Sequence, residues 1–290
     1  MRVMPDAERQ RGTSGIRYSV SAISPFVLVL TGAATGLVGA LLGLGGGVFL
    51  VPLLTLSLGV PIRAAIAASL ISVIATASAS STINLERGLV NMRLGMALEV
   101  ATTLGGLTGG LVAAALSQRQ LFLTFGATLG LMGVVMAVRS GRRNVIADAG
   151  LEPGRLGGRL QEGEETYVYR MRRLPVGLAA SLGAGAISGL LGVGGGIIKV
   201  PVLNAFCGIP IRVAAATSAF MIGVTGAASA FIYFGRGDVV LPLTAAVAIG
   251  ALPGSLLGAR LSHRVQARSL KLIMAVVLLV VGLRMALEAL

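Results

Sequence analysis

The chain has 290 residues, of which 55% are hydrophobic and 12% charged, and its mean hydropathy is +0.89. Soluble domains carry about 25% charged residues, so this composition excludes an ordinary soluble protein and predicts an all-α integral membrane protein. Most of the net charge of +13 comes from arginines at the ends of apolar runs, where they orient a membrane protein, so we expect no nucleic acid partner.

Residues 1–24 form a basic N-terminal segment, and a polar, arginine-rich linker covers 140–174. Arginine is enriched on the cytoplasmic side of membrane proteins. We therefore expect both segments in the cytoplasm and the protein in the cell membrane, crossing it several times. The glycines of the linker are typical of a flexible connector.

The first apolar run has no charged residue between Pro25 and Ile62, a stretch of 38 residues. One straight helix of that length would measure about 57 Å, whereas the hydrocarbon core of a bilayer is about 30 Å thick. Three consecutive glycines, Gly45, Gly46 and Gly47, disfavour helix, and Pro52 follows them. The run is therefore predicted to be a broken helix.

Charged residues divide the rest of the chain into further apolar segments. They span 64–85, 94–118 and 120–138 before the linker, then 174–211, 213–235, 239–259 and about 269–287 after it. This pattern predicts about eight transmembrane segments, four in a first transmembrane repeat at 25–139 and four in a second at 175–290.

The broken stretch occurs twice, 149 residues apart. Between 36–69 and 185–218, 17 of 34 positions are identical without a gap, and glycine, proline and arginine positions are among them. The sequence thus predicts two repeats, each with a broken first helix. Whether the repeats are parallel or inverted depends on whether each long segment crosses the membrane or returns as a hairpin.

The two glycine runs are the first candidate site, because a broken helix exposes backbone N–H groups and the positive end of a helix dipole. Their residues are Gly45, Gly46, Gly47, Gly194, Gly195 and Gly196. Together the runs are expected to bind a small anion near the middle of the membrane. The alternative is that they only let helices cross closely. A dinucleotide site is excluded because Val48 and Ile197 occupy the position of the last required glycine.

Two ionisable residues lie inside apolar segments, where a charge is costly and is by default a hypothesis of function. Lys199 follows the second glycine run and is expected to bind the anion. Glu99 is expected to carry a coupling proton or to pair with Lys199. The alternatives are that Lys199 extends to the membrane surface and that Glu99 lies near it.

Five polar residues are candidates for lining the cavity with them: Ser69, Asn84, Asn204, Thr217 and Ser218. Such side chains also commonly satisfy backbone groups or bridge helices, which is the alternative here. We expect no catalytic residues, metal or cofactor, because the chain has one cysteine and one histidine, Cys207 and His263, and no clustered acid–base set.

The duplicated Gly-x-Gly-Gly-Gly-x-x-x-Val-Pro stretch resembles the TauE/SafE family of membrane permeases, as does the Gly-x-Pro-Ile-Arg that follows it in both halves. The resemblance covers about 25–139 and 175–290. It implies secondary transport, in either direction, of small sulfur-containing anions such as sulfite, sulfoacetate or related sulfonates.

The main hypothesis is therefore a secondary transporter that works in the lipid bilayer on a small anionic substrate, with proton coupling through Glu99. Two other classes remain open, a passive anion channel and a membrane-embedded enzyme. Assembly as a homo-oligomer is compatible with the sequence.

Overall fold

The computed structural model describes residues 23–42, 45–138, 153–162, 165–262 and 267–288. Their regular secondary structure is helical apart from one β-hairpin. In the first half of the chain the helices are α1 (Pro25–Leu42), α2 (Gly47–Pro52, continued as a π-helical turn over Leu53–Ser57), α3 (Ile62–Glu86), α4 (Met92–Ala115) and α5 (Gln118–Val138).

The hairpin follows as β1 (Gly158–Glu162) and β2 (Glu165–Tyr169), paired antiparallel. The later helices are α6 (Leu174–Leu191), α7 (Gly196–Ala205), α8 (Ile211–Gly235), α9 (Leu241–Leu261) and α10 (Ala267–Glu288). Among the described helices, five are long and apolar enough to cross a membrane: α3, α4, α6, α8 and α9. The prediction of an all-α membrane protein is confirmed at this level.

Both long apolar segments are interrupted at their glycine runs. Gly45 and Gly46 have φ values of 79° and 77°, and Gly194 and Gly195 have φ values of 81° and 68°. Residues with a side chain rarely adopt this left-handed conformation, whereas glycine does so without steric cost. Each break is therefore a consequence of the local sequence.

The tightest helix pairs are built on glycine. Gly32 of α1 faces the backbone of Val247 in α9, and Gly109 of α4 faces the backbone of Ala186 in α6. In both places a β-carbon would overlap the facing carbonyl group. Because lipid is as apolar as a leucine side chain, membrane helices associate through close packing of small residues rather than through burial alone.

The contacts along these pairs also give the helix directions. In α4 and α6, Thr102 faces Gly185 and Gly106 faces Gly189, so these helices run parallel. In α1 and α9, Gly32 faces Val247, while Leu37 faces Gly258 further along, so these helices are parallel as well.

We define the linker end of the bundle by the hairpin and the starts of α4 and α6. Asn91, just before α4, donates hydrogen bonds to Leu156 O (3.1 Å) and to Tyr169 Oη (3.2 Å). The opposite, distal end contains the start of α3 and the end of α4, where Arg63 donates to Leu116 O (2.8 Å). The connection between α8 and α9 also lies at the distal end.

The first helices of the two halves consequently begin at opposite ends. α1 runs parallel to α9 and begins at the distal end, whereas α6 begins at the linker end beside the hairpin. The expectation that the segment before α1 and the linker are both cytoplasmic stays a prediction, because residues 1–22 lie outside the described part of the chain.

The flexible connector predicted from the linker glycines is wrong for its described part, which folds as the hairpin. Leu160, Val168 and Tyr169 are buried, and Leu160 and Tyr169 pack with the apolar residues at the start of α4 and α8. The side chain of Asn91 also caps α4 by accepting a hydrogen bond from the Leu94 amide (3.0 Å). One residue thus starts a helix and holds the hairpin against it.

We predict opposite effects of two glycine-to-alanine substitutions. In an open helical position such as Gly183, alanine should raise the free energy of unfolding by up to about 1 kcal/mol through helix propensity. Gly109→Ala should lower it by about 1–3 kcal/mol, because the new methyl group overlaps the Ala186 backbone. Unfolding of the purified protein in detergent measures both values, and a stabilised Gly109→Ala variant would contradict the packing described here.

Candidate functional site

The two glycine breaks lie against the same pair of side chains. A β-carbon on Gly45 would lie 3.2 Å from Val73 Cγ1 and 3.4 Å from Ile222 Cγ2. A β-carbon on Gly194 would lie 3.1 Å and 3.0 Å from the same two atoms. Val73 and Ile222 are fully buried and lie midway along α3 and α8. The structure therefore brings the two predicted glycine runs together at the centre of the bundle.

The short helices α2 and α7 both begin at this centre and run outward in opposite directions. Gly46, which precedes α2, lies against Thr35 midway along α1, and α2 leads to the distal end. Gly195, which precedes α7, lies against Ala184 of α6, and α7 leads to the linker end. Two helix N-termini, each carrying partial positive charge, thus approach each other in the bundle interior.

The amide groups at the start of α7 are only partly used by the helix itself. The amides of Ile198 and Lys199 donate to Gly195 O at 3.3 Å and 3.2 Å. Helix geometry leaves the preceding amides, those of Gly196 and Ile197, without an intrahelical acceptor. Both residues are buried, so these donors face the protein interior rather than water.

Ser69 links the two halves directly beside the breaks. Its hydroxyl donates to Gly192 O (2.7 Å), and both groups also face Gly47 closely enough that a β-carbon there would overlap them. Ser69 is fully buried. The hydroxyl is therefore occupied by a backbone carbonyl in this conformation, as the alternative interpretation of such serines proposed.

Threonines on α3 and α8 mark a difference between the two breaks. Thr76 donates to Gly45 O (3.0 Å), so in the first half this hydroxyl stabilises the break itself. Thr225, at the position 149 residues later, donates instead to Glu99 Oε1 (2.7 Å), which also accepts from Thr103 (3.1 Å). In the second half a carboxylate is therefore bonded to the threonine one helical turn from Ile222, whereas in the first half the matching threonine bonds the break.

Lys199 lies in the first turn of α7 and is fully buried. Within the described part of the chain, neither its Nζ nor Glu99 Oε2 has a hydrogen-bond partner. The two groups nevertheless interact electrostatically, so they lie in the same region of the interior. Burial rules out the interpretation that Lys199 reaches the membrane surface.

The remaining predicted residues divide between the centre and the ends. Ser218 is fully buried, and its hydroxyl has no partner among the described residues. Asn84 lies two residues from the end of α3, about 16 Å along the helix from Val73 at 1.5 Å per residue. Asn204 donates to Ile209 O (2.9 Å) and supports the turn after α7. The structure does not bring Asn84 or Asn204 to the breaks.

A second charged cluster, which the sequence did not single out, lies at the distal end. Arg236 Nε lies 3.4 Å from Asp238 Oδ2, and the guanidinium lies over the ring of Tyr233. Tyr233 donates to Gly189 O (3.1 Å) near the end of α6. Burial raises the pKa of the Asp238 carboxyl, while Arg236 and Arg63 act against this rise. The short Arg-x-Asp spacing was the available signal.

No three His, Cys, Asp or Glu side chains of the described residues are grouped as a metal site would require.

Comparison with protein families gives one match over most of the chain. A family model described as "Sulfite exporter TauE/SafE" matches residues 28–285. No solved structure matches the chain significantly.

Similar curated proteins come from distant organisms. "Probable membrane transporter protein YunE" of Bacillus subtilis (strain 168) is 27% identical over 269 residues, covering 90% of this chain and 97% of the relative. A "Probable membrane transporter protein" of Xylella fastidiosa (strain 9a5c) is 27% identical over 244 residues, covering 83% and 87%. A protein of the same description from Methanocaldococcus jannaschii is 25% identical over 276 residues, covering 90% and 95%.

Alanine substitutions of two glycines with left-handed backbone distinguish the cost of backbone strain from the cost of lost packing at the break. Gly237 has φ 76° and open space around its α-carbon, whereas Gly194 has φ 81° and faces Ile222 and Val73. We expect Gly237→Ala to lower the free energy of unfolding by about 1–2 kcal/mol through strain alone. Gly194→Ala should cost about 1–3 kcal/mol more, because the two side chains must move. Denaturation of both variants in detergent measures the difference, and equal losses would mean that Gly194 is not packed as described.

Proposed function

This chain belongs to the sulfite exporter TauE/SafE family, because the family model covers residues 28–285, and on that premise we propose that it is a secondary transporter of small anions. Sulfite and other sulfur-containing oxyanions or sulfonates are the proposed substrates. Its relatives are described as probable membrane transporter proteins, which agrees with transport as the general function.

The observation that carries the proposal is the meeting of two helix N-termini beside a buried lysine that has no hydrogen-bond partner among the described residues. An anion placed there would receive hydrogen bonds from backbone amides at the breaks and from Lys199. Buried unpaired cations are costly, and a bound anion would offset that cost. In this proposal the glycines let the backbone approach the anion, and Ser69 and Ser218 lie beside them.

We infer that the two halves are inverted repeats. Under an offset of 149 residues α1 corresponds to α6, α3 to α8 and α4 to α9. The packing supports this pairing, because α1 contacts α9 as α6 contacts α4, and α3 contacts α9 as α8 contacts α4. Matching helices also begin at opposite ends of the bundle. Transporters with such repeats place their substrate near the middle of the membrane, between the two halves.

The charges of the two ends support an orientation with the linker end in the cytoplasm. Described arginines near the linker end are Arg87, Arg93, Arg155, Arg159, Arg170, Arg172, Arg173, Arg212 and Arg260. Those near the distal end are Arg63, Arg119, Arg236 and Arg284. The side with more arginine is normally cytoplasmic, so the segment before α1 would lie outside.

A reporter experiment tests this orientation in cells. Green fluorescent protein inserted in the linker at residue 155 should fluoresce, because it folds in the cytoplasm. Alkaline phosphatase fused after residue 290 should be active, because α10 leads to the distal end. With the two reporters exchanged, alkaline phosphatase in the linker should be inactive and green fluorescent protein after residue 290 should not fluoresce. The reverse pattern would contradict the proposed orientation.

Transport is tested with the purified protein in proteoliposomes. Radiolabelled sulfite, thiosulfate, sulfate and sulfonates should be compared with and without a proton gradient. Accumulation driven by the gradient would support a coupled transporter, whereas passage that only follows the anion's own gradient would indicate a channel. No flux of any of these anions would contradict the proposal.

Lys199→Met should weaken anion binding about tenfold or more, since a hydrogen bond to a charged group contributes about 1.5–3 kcal/mol. Arg93→Met is the matched control, because it removes one positive charge from the exposed start of α4. Binding of labelled sulfite to both variants in detergent measures the effect. Equal affinities would remove Lys199 from the site.

A further inference from the structure

Two buried groups of opposite charge lie in the same region of the interior without a hydrogen bond between them. Lys199 Nζ can donate three hydrogen bonds, and Glu99 Oε2 can accept, yet neither has a partner among the described residues. The charges of the two side chains interact electrostatically. Buried charges are normally paired, so the absence of a hydrogen bond between these two groups needs an explanation.

Hydrogen bonds to one oxygen of the Glu99 carboxylate explain why the other oxygen is not bonded. Thr225 and Thr103 both donate to Glu99 Oε1, at 2.7 Å and 3.1 Å, from α8 and from α4 itself. These bonds hold one oxygen against the threonines and leave the other free. Lys199 approaches from α7, a different helix. A ligand that bound both Nζ and Oε2 would therefore break no hydrogen bond that the structure shows.

Such a ligand must satisfy two opposite requirements. Towards Lys199 Nζ and the start of α7 it needs an anionic acceptor. Towards Glu99 Oε2 it needs a donor, because an ionised carboxylate only accepts hydrogen bonds. A dianion without a donor would place negative charge against the carboxylate. A monoanion that carries an O–H or N–H group would satisfy both atoms.

The first half of the chain offers no equivalent arrangement. Leu50 stands at the position matching Lys199, and Ala248 at the position matching Glu99. Thr76, the counterpart of Thr225, donates to the backbone of its own break. The opposed pair of charged atoms is thus confined to the second break, and we expect one anion per chain.

We propose that Lys199 Nζ and Glu99 Oε2 together select monoanions that carry their own hydrogen-bond donor, such as a hydrogen-form oxyanion or a hydroxyl-bearing sulfonate. This rests on the proposed function, since it narrows the substrate class of the same site. It also gives Glu99 a role in selectivity besides carrying a coupling proton. Protons would then enter the site on the substrate itself.

The sharpest test compares two sulfonates that differ in one hydroxyl group. Isethionate and ethanesulfonate have the same charge and nearly the same size. Each would compete with labelled sulfite for the purified protein at one fixed pH. Isethionate should bind about tenfold more tightly, which corresponds to one hydrogen bond to a charged group. Equal affinities would overturn the inference, as they would if only water bridged the two atoms.

Glu99→Gln tests whether Glu99 causes the preference. An amide can donate as well as accept, so ethanesulfonate should gain affinity and the ratio of the two affinities should approach one. Glu86→Gln, the same chemical change at the exposed end of α3, is the control and should keep the wild-type ratio. A preference that persists in Glu99→Gln would overturn the role of Glu99.

The outcomes separate the two proposals. If all three anions bind but isethionate binds no more tightly than ethanesulfonate, the selectivity proposal fails and the transporter proposal stands. If none of the three anions binds or is transported, the proposed function fails, and the selectivity proposal fails with it. Should Glu99→Gln not fold, the comparison of the two sulfonates on the wild-type protein decides.

Discussion

The crossing of α3 and α8 at Val73 and Ile222 is the contact on which the arrangement of the site depends. Both glycine breaks rest on this one apolar pair, at distances where a side chain on either glycine would force the pair to move. Backbone without helical hydrogen bonds is tolerated at membrane depth only when it is enclosed by protein. The crossing supplies that enclosure for both breaks at once, and the start of each short helix is held beside the other.

The charges of the interior follow from the same geometry. α7 begins at the crossing, so the first turn of this helix carries Lys199 into the bundle rather than to a surface. α8 presents Thr225 one turn beyond Ile222, where it holds Glu99 of α4. An acid and a base from different halves therefore share one apolar interior, in which electrostatic interactions are much stronger than in water. The site is charged on one side of the crossing and uncharged on the other.

The structure brings together the two glycine runs, which were chosen for their backbone chemistry, but it separates the polar residues that were chosen by side-chain type. Glycine runs specify left-handed backbone wherever they occur, so the breaks could be located without a structure. Asn84 and Asn204 were chosen as polar residues in apolar segments, but Asn84 lies near the end of α3 and Asn204 bonds the turn after α7. Thr76, Thr103 and Thr225 were missed, because a threonine bonded to its own helix and one bonded to a buried carboxylate look alike in sequence.

The sequence by itself determined the membrane class, the duplicated motif and the positions of the helix breaks, because these follow from hydropathy and from the local conformational preferences of glycine and proline. Only the tertiary structure decided that the first helices of the two halves begin at opposite ends, since hydropathy is the same whichever way a helix runs. It also decided that Lys199 and Glu99, 100 residues apart in the chain, share one interior. Their proximity depends on helix packing between the halves, for which neither residue carries a local signal.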